Sequence, residues 1–210
     1  MNTQQGYLLV VEDIPDILKL LETALSFKGY RVVTARNGEE ALEAIQKERP
    51  QMIVSDILMP KMDGFSLLHR LRINSDTRKI PVVFLSATYV APEDKTFALT
   101  IGVTRFIEKP INIEEFMQTI EELLAKGEHS AIHEPLTGPN FYEEYRIRLK
   151  TKLDQKVTQI ARLERLLETA AEEEKASFQD SLLLANNERE EIRLLLEQIR
   201  ERFTGKSKQE

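Results

Sequence analysis

The chain has 210 residues, 41% of them hydrophobic and 30% charged, with a formal net charge of −6. That length allows one or two domains and at least one proper core. With no cysteine, disulfides, thiolate metal sites and cysteine nucleophiles are excluded. Three scattered histidines, His69, His129 and His133, make no zinc site without carboxylate help and are expected on the surface or in loops.

The first apolar stretch, Tyr7 to Val11, has no basic region before it and no small-residue cleavage site after it, so it does not read as a signal peptide. No apolar run approaches the roughly 18 residues needed to cross a bilayer, and a cytoplasmic protein is expected. From residue 7 to about 126, short apolar runs alternate with helical patterns. The runs are Tyr7–Val11, Arg31–Ala35, Met52–Ser55, Val82–Ser86 and Arg105–Ile107. Between them lie amphipathic stretches such as Ile17, Leu20, Leu21, Ala24, Leu25 and then Ala41, Leu42, Ile45. This alternation predicts an α/β fold, a doubly wound, five-stranded parallel sheet. Runs such as Met52-Ile53-Val54 do not alternate with polar residues, as suits strands covered on both faces.

Gly127, Pro135, Gly138 and Pro139 break any regular pattern, so residues 127–140 read as a linker after a domain spanning 1–126. Asn140 is the expected N-cap of a long helical segment, with Glu143 as its capping-box partner. Residues 141–203 lack glycine and proline. Their apolar positions fall at coiled-coil spacing in two series: Leu149, Leu153, Ile160, Leu163, Leu167, Ala170, then Phe178, Leu182, Ala185, Ile192, Leu196, Ile199, Phe203. The two series are out of register by one residue. Either one helix continues through a skip, or the chain turns back near Ala171–Ser177 or Asn186-Asn187 into an antiparallel hairpin. The alanine- and glutamate-rich stretch between the series favours the continuous helix, about 95 Å long if unbroken. Such a helix needs a partner, and homodimerisation through 141–203 supplies one. Residues 204–210 read as a flexible tail.

In a doubly wound sheet the C-terminal strand ends face the ligand crevice. The first strand ends in Glu12-Asp13, the third in Asp56 and the fourth in Ser86-Ala87; the fifth leads to Lys109-Pro110. Three carboxylates, a hydroxyl and an ammonium therefore converge. Carboxylates so close repel each other, and a bound Mg²⁺, taking oxygen ligands only, resolves the repulsion and suits an incoming phosphoryl group.

The stretches Val10-Val11-Glu12-Asp13, Ser55-Asp56-Ile57-Leu58-Met59-Pro60-Lys61-Met62-Asp63-Gly64, Leu85-Ser86-Ala87 and Phe106-Ile107-Glu108-Lys109-Pro110 resemble the response-regulator receiver family of two-component signalling, over residues 7–126. The resemblance implies a flavodoxin-like receiver in which Asp56 takes a phosphoryl group from a histidine kinase or phosphotransfer protein. It implies Mg²⁺ ligation by Asp13, Asp56 and the Leu58 carbonyl, with Glu12 holding a metal-bound water. Ser86 and Lys109 are then expected to bind the phosphoryl oxygens, and Phe106 to follow Ser86 as the switch aromatic. Leu58 and Thr88 match positions flanking the path of the hydrolytic water.

The second half shows no tight-turn DNA-reading motif, no cyclase signature, no nucleotide loop and no histidine in the long helix, so no separate catalytic output is expected. Residues 141–203 hold 12 Lys/Arg against 14 Asp/Glu, a net of −2, which argues against DNA. The expected output is a coiled-coil interaction with an unidentified downstream protein. The alternatives are a DNA-binding regulator using the basic run Arg146, Arg148, Lys150, Lys152 and Lys156, or a phosphate shuttle.

Overall fold

A computed structural model describes residues 6–87, 92–126 and 139–206. The chain forms two compact units, residues 1–138 and 139–210. The first runs β1 (Leu8–Val11), α1 (Pro15–Phe27), β2 (Val32–Ala35), α2 (Gly38–Lys47), β3 (Met52–Asp56), α3 (Gly64–Ile73), β4 (Val82–Ser86), α4 (Pro92–Thr100), β5 (Arg105–Glu108) and α5 (Ile113–Lys126).

All strand pairings are parallel, in the order β2-β1-β3-β4-β5. The expected doubly wound sheet is therefore the one found. β1, β3 and β4 are buried along their whole length, which explains their unbroken apolar runs. Alternate residues divide between the faces. Leu8, Val10, Val54, Val83 and Leu85 join Leu21 and Leu25 of α1 and Phe116 and Ile120 of α5 in one core. On the other face Phe84 meets Phe65 of α3 edge-on, ring centroids 5.3 Å apart. After β1 the chain pairs β2 on one side and β3 on the other, so the topological switch lies beyond the C-terminal ends of β1 and β3.

Local chemistry fixes the helix starts. Asn37 caps α2 by accepting from the Glu39 and Glu40 amides at 3.1 and 3.0 Å. Asp63 caps α3, accepting from the Ser66 amide at 2.9 Å and its hydroxyl at 2.6 Å. His69, expected at the surface, lies in α3 and is only 5% exposed; α3 is buried along most of its length, so its histidine is buried too.

The second unit is α6 (Pro139–Thr169) and α7 (Glu172–Lys206), packed against each other as a hairpin. The single unbroken helix favoured from sequence is not what forms. The chain breaks at Ala170-Ala171, and the Ala171 carbonyl accepts from the Glu174 and Lys175 amides to start α7. Folding back sets the two apolar series face to face, with Leu149, Ile160, Ala185, Ile192 and Ile199 buried. Each buried leucine or isoleucine is worth about 1.5–3 kcal/mol, whereas starting α7 from alanine rather than a good N-cap residue costs about 1 kcal/mol. Burial wins. Lys156 and Glu188 form an ion pair across the seam. α6 starts at Pro139, a residue suited to the first helical position, so Asn140, the expected N-cap, falls within the helix. The remainder of the expected linker, 127–138, lies outside the described residues.

Candidate functional site

Glu12, Asp13, Asp56, Ser86 and Lys109 sit at the C-terminal edge of the sheet. Glu12 and Asp13 follow β1, and Asp56 is the last residue of β3. Ser86 ends β4, and Lys109 follows β5. Glu12, Asp56 and Ser86 are buried, and the Lys109 side chain is only 12% exposed. Carboxylate oxygens of Glu12, Asp13 and Asp56 lie within 4.8 Å of one another. Lys109 Nζ donates to Glu12 Oε2 at 2.8 Å and lies 3.3 Å from Asp56 Oδ1. The Lys109 amide donates to the Ser86 carbonyl at 2.9 Å, which brings β4 and β5 to the crevice at the same level.

Electrostatics follow from this crowding. Burial pushes the Asp56 carboxyl up to about 7; the nearby ammonium of Lys109 opposes the shift and the Glu12 charge adds to it. Burial also raises Glu12 and Asp13 above the usual carboxylate range, against the pull of Lys109. For Lys109, burial works against its charge, but Asp56 and Glu12 outweigh burial and hold it above its usual value. One ammonium does not neutralise three clustered carboxylates. The surplus negative charge and the all-oxygen donor set fit a small hard dication.

The loop after Asp56 is anchored at several points. The Gly64 amide donates to the Ile57 carbonyl at 2.8 Å and the Gly38 amide to the Met62 carbonyl at 2.9 Å. The Ser55 hydroxyl donates to the Asp56 carbonyl at 2.7 Å. Gly64 brings the start of α3 against the Asp56 backbone: a Cβ there would lie 3.1 Å from Ile57 Cα and 3.2 Å from Phe84 Cε1, and closer still to the Asp56 carbonyl oxygen. Leu58 in this loop is half-buried. Phe106 is half-buried on β5, opposite Phe84 in the register. Thr88 lies outside the described residues.

Two supporting features have no clear signature in the sequence. The packing role of Gly64 shows only in space, although its place in the Asp63-Gly64 motif was visible. Arg72 on α3 is buried, and its guanidinium donates to the carbonyls of Gly102 at 2.7 and 3.1 Å, Arg78 at 3.0 Å and Ile80 at 3.0 Å. A lone arginine late in an amphipathic helix carries no sequence signal of such a role. In the hairpin, the basic run of α6 is partly committed within its own unit. Arg146 pairs with Glu143 at 2.5 Å, Lys156 pairs with Glu188, and Lys152 is buried. Among the described residues no helix is long and apolar enough to cross a membrane.

Comparison with known proteins agrees with this geometry. The family model described as the response regulator receiver domain matches residues 8–121. A probable transcriptional regulator ycf27 of Pyropia yezoensis is 38% identical over 128 residues, covering 61% of this chain and 51% of its own length. The chain thus spans about half the length of the curated relatives it matches. The chemotaxis response regulator CheY4 of Vibrio cholerae superposes with a TM-score of 0.53 at 34% identity, over 57% of this chain and 98% of that one. The receiver domain of the sensor histidine kinase PA1611 from Pseudomonas aeruginosa has a TM-score of 0.53 at 26% identity, over 57% and 98% of the two chains. That structure has a magnesium ion coordinated in its active-site cleft. A five-stranded sheet in this order, an acidic crevice at its switch point and a family match over residues 8–121 make this chain a member of the response regulator receiver domain family.

Proposed function

We propose that the chain is a two-component response regulator whose Asp56 accepts a phosphoryl group from a phosphohistidine on a kinase or phosphotransfer protein. The observation that carries this reading is Asp56 itself: a buried carboxylate with an ammonium 3.3 Å away and two more carboxylates beside it. An Asp56 oxygen attacks phosphorus as the phosphorus–nitrogen bond breaks, the imidazole leaves, and an acyl phosphate remains. Asp13, Asp56 and the Leu58 carbonyl would hold Mg²⁺, with Glu12 acting through water. The ion supplies charge neutralisation for the phosphoryl oxygens. Lys109, already aimed at Asp56, pairs with one of those oxygens, and the Ser86 hydroxyl donates to another. Phe106 follows Ser86 inward and carries the change to the surface formed by α4, β5 and α5.

The output in this reading is the hairpin of α6 and α7, acting by protein–protein association in the cytoplasm, with no separate catalytic domain. The partly neutralised basic run of α6 lends little support to DNA contact through that helix. Acetyl phosphate with Mg²⁺ provides the test. The wild type should gain one acid-stable, hydroxylamine-labile phosphoryl group, and chelation or Asp56→Asn should abolish it. Equal labelling of Asp56→Asn would overturn the assignment.

A further inference from the structure

The loop between Asp56 and α3 is gripped by a neighbouring helix at one backbone atom. Near its end the loop turns tightly: the Met62 amide donates to the Pro60 carbonyl at 2.7 Å, with Lys61 between them at φ 63°. That is left-handed backbone on a residue with a side chain, a conformation that persists only where its surroundings hold it. The Gly38 amide supplies the hold, donating to the Met62 carbonyl at 2.9 Å. Gly38 opens α2, and an α-helix leaves its first amides without intrahelical partners. Here the first three each have an acceptor. The Glu39 and Glu40 amides go to Asn37 Oδ1, and the Gly38 amide goes to Met62. The Glu40 carboxylate reaches back, accepting from the Arg36 amide at 2.9 Å and from Asn37 Nδ2 at 2.8 Å, so the donor stands on a doubly fastened cap. There is no room for a side chain at position 38. A Cβ would lie 2.7 Å from Met62 Cγ, 2.9 Å from the Met62 carbonyl oxygen and 2.9 Å from its Sδ.

We propose that Gly38 is a positioning residue for Mg²⁺, acting through Met62 to set where the Leu58 carbonyl stands. This rests on the reading of Asp13, Asp56 and the Leu58 carbonyl as the protein ligands. Asp56 is placed by the sheet, as the last residue of β3 and paired with Leu85 of β4. Leu58 lies two residues beyond the strand, so its carbonyl stands wherever the loop carries it. Gly64 closes the base of the loop through the Ile57 carbonyl, and Gly38 fixes its far side through Met62, with Leu58 in the span between. Releasing Met62 lets the left-handed turn at Lys61 relax, and the span that holds Leu58 relaxes with it. Asp56 keeps its place in the ladder. The effect therefore falls on metal affinity before it falls on the nucleophile, as it does where an outer group orients a metal ligand.

Calorimetric titration of the full chain with Mg²⁺ tests the proposal, alongside acetyl phosphate labelling at low and at saturating Mg²⁺. Gly38→Ala should weaken Mg²⁺ binding about tenfold. Its labelling should slow at low Mg²⁺ and recover at saturating Mg²⁺ to within about threefold of wild type, the mark of a displaced metal ligand rather than a displaced nucleophile. Asn37→Ala adds no atom, so it carries the test if Gly38→Ala does not fold; by loosening the cap under the donor it should weaken binding about threefold. Ile45→Val, at a buried position of the same helix, should lower stability in urea and leave Mg²⁺ affinity within about twofold of wild type. Wild-type affinity in Gly38→Ala, or in Asn37→Ala where Gly38→Ala is unfolded, overturns the proposal. So does labelling that stays slow at saturating Mg²⁺, which would place the fault at Asp56. An Ile45→Val variant that loses as much affinity as Gly38→Ala overturns it too, because affinity would then merely follow stability. A wild type that takes up no Mg²⁺ overturns the ligand set beneath the proposal as well.

Discussion

Gly64 offers the sharpest test of how the acidic crevice is held. Its φ is not in the left-handed region, so alanine suits the backbone, and on propensity alone Gly64→Ala should stabilise α3 by up to about 1 kcal/mol. The structure predicts the opposite. The new methyl would sit inside van der Waals distance of the Asp56 carbonyl oxygen, 3.1 Å from Ile57 Cα and 3.2 Å from a Phe84 ring carbon. Two of these atoms are backbone, and Phe84 is fully buried against Phe65, so none of the three can swing aside. Relief needs a shift of roughly 1 Å between α3 and the end of β3. Overpacking of this kind costs about 1–3 kcal/mol, which exceeds the propensity gain. The shift also moves Asp56, and a misplacement of about 1 Å at a reacting group costs on the order of 100-fold in rate. Urea denaturation followed at 222 nm, together with acetyl phosphate labelling, measures both effects. A variant as stable as wild type that labels at the wild-type rate would refute the close-packing argument.

Three further outcomes rest on single groups. Arg72→Met keeps the apolar stem but strands the buried carbonyls of Gly102 and Ile80 and the part-buried one of Arg78, and should cost about 3 kcal/mol in urea denaturation; a loss below about 0.5 kcal/mol would mean that water replaces the guanidinium. Burial pushes the Tyr7 phenol from 10.0 up to about 12, and its hydroxyl donates to the Glu48 carbonyl at 2.7 Å. The folded state thus holds this proton more tightly than the unfolded one. Its contribution is whole below pH 10 and falls as pH rises from 10 towards 12, so Tyr7→Phe should flatten the alkaline loss of stability, and matching pH profiles would contradict it. Leu58 offers no acceptor to orient a hydrolytic water near the acyl phosphate, so Leu58→Asn should shorten its lifetime; an unchanged or longer lifetime would sink that idea.

The site was legible because its residues announce themselves at strand ends. Glu12, Asp13, Asp56, Ser86 and Lys109 each close or follow an apolar run, and parallel topology brings such ends together whatever lies between. The contacts that hold them were not legible. Gly64 matters through one backbone approach, and Arg72 through carbonyls six, eight and thirty residues away. Neither relation has a period or a local spacing for a sequence pattern to show. His69 misled for a related reason: polarity predicts exposure only where a helix has a wet face, and most of α3 is buried.

The hairpin shows a different failure, one that can be corrected in principle. Ala170-Ala171 is a strong helix former without a turn residue, and propensity read locally predicts continuation. The one-residue slip between the two apolar series was the better signal. In a continuous helix a slip rotates the second stripe by about 100° away from the first, so one partner helix cannot cover both. Folding back removes the conflict, because antiparallel neighbours need only that each stripe face the other. A break at two alanines is then cheap beside the seam it closes, and the slip becomes evidence of the turn.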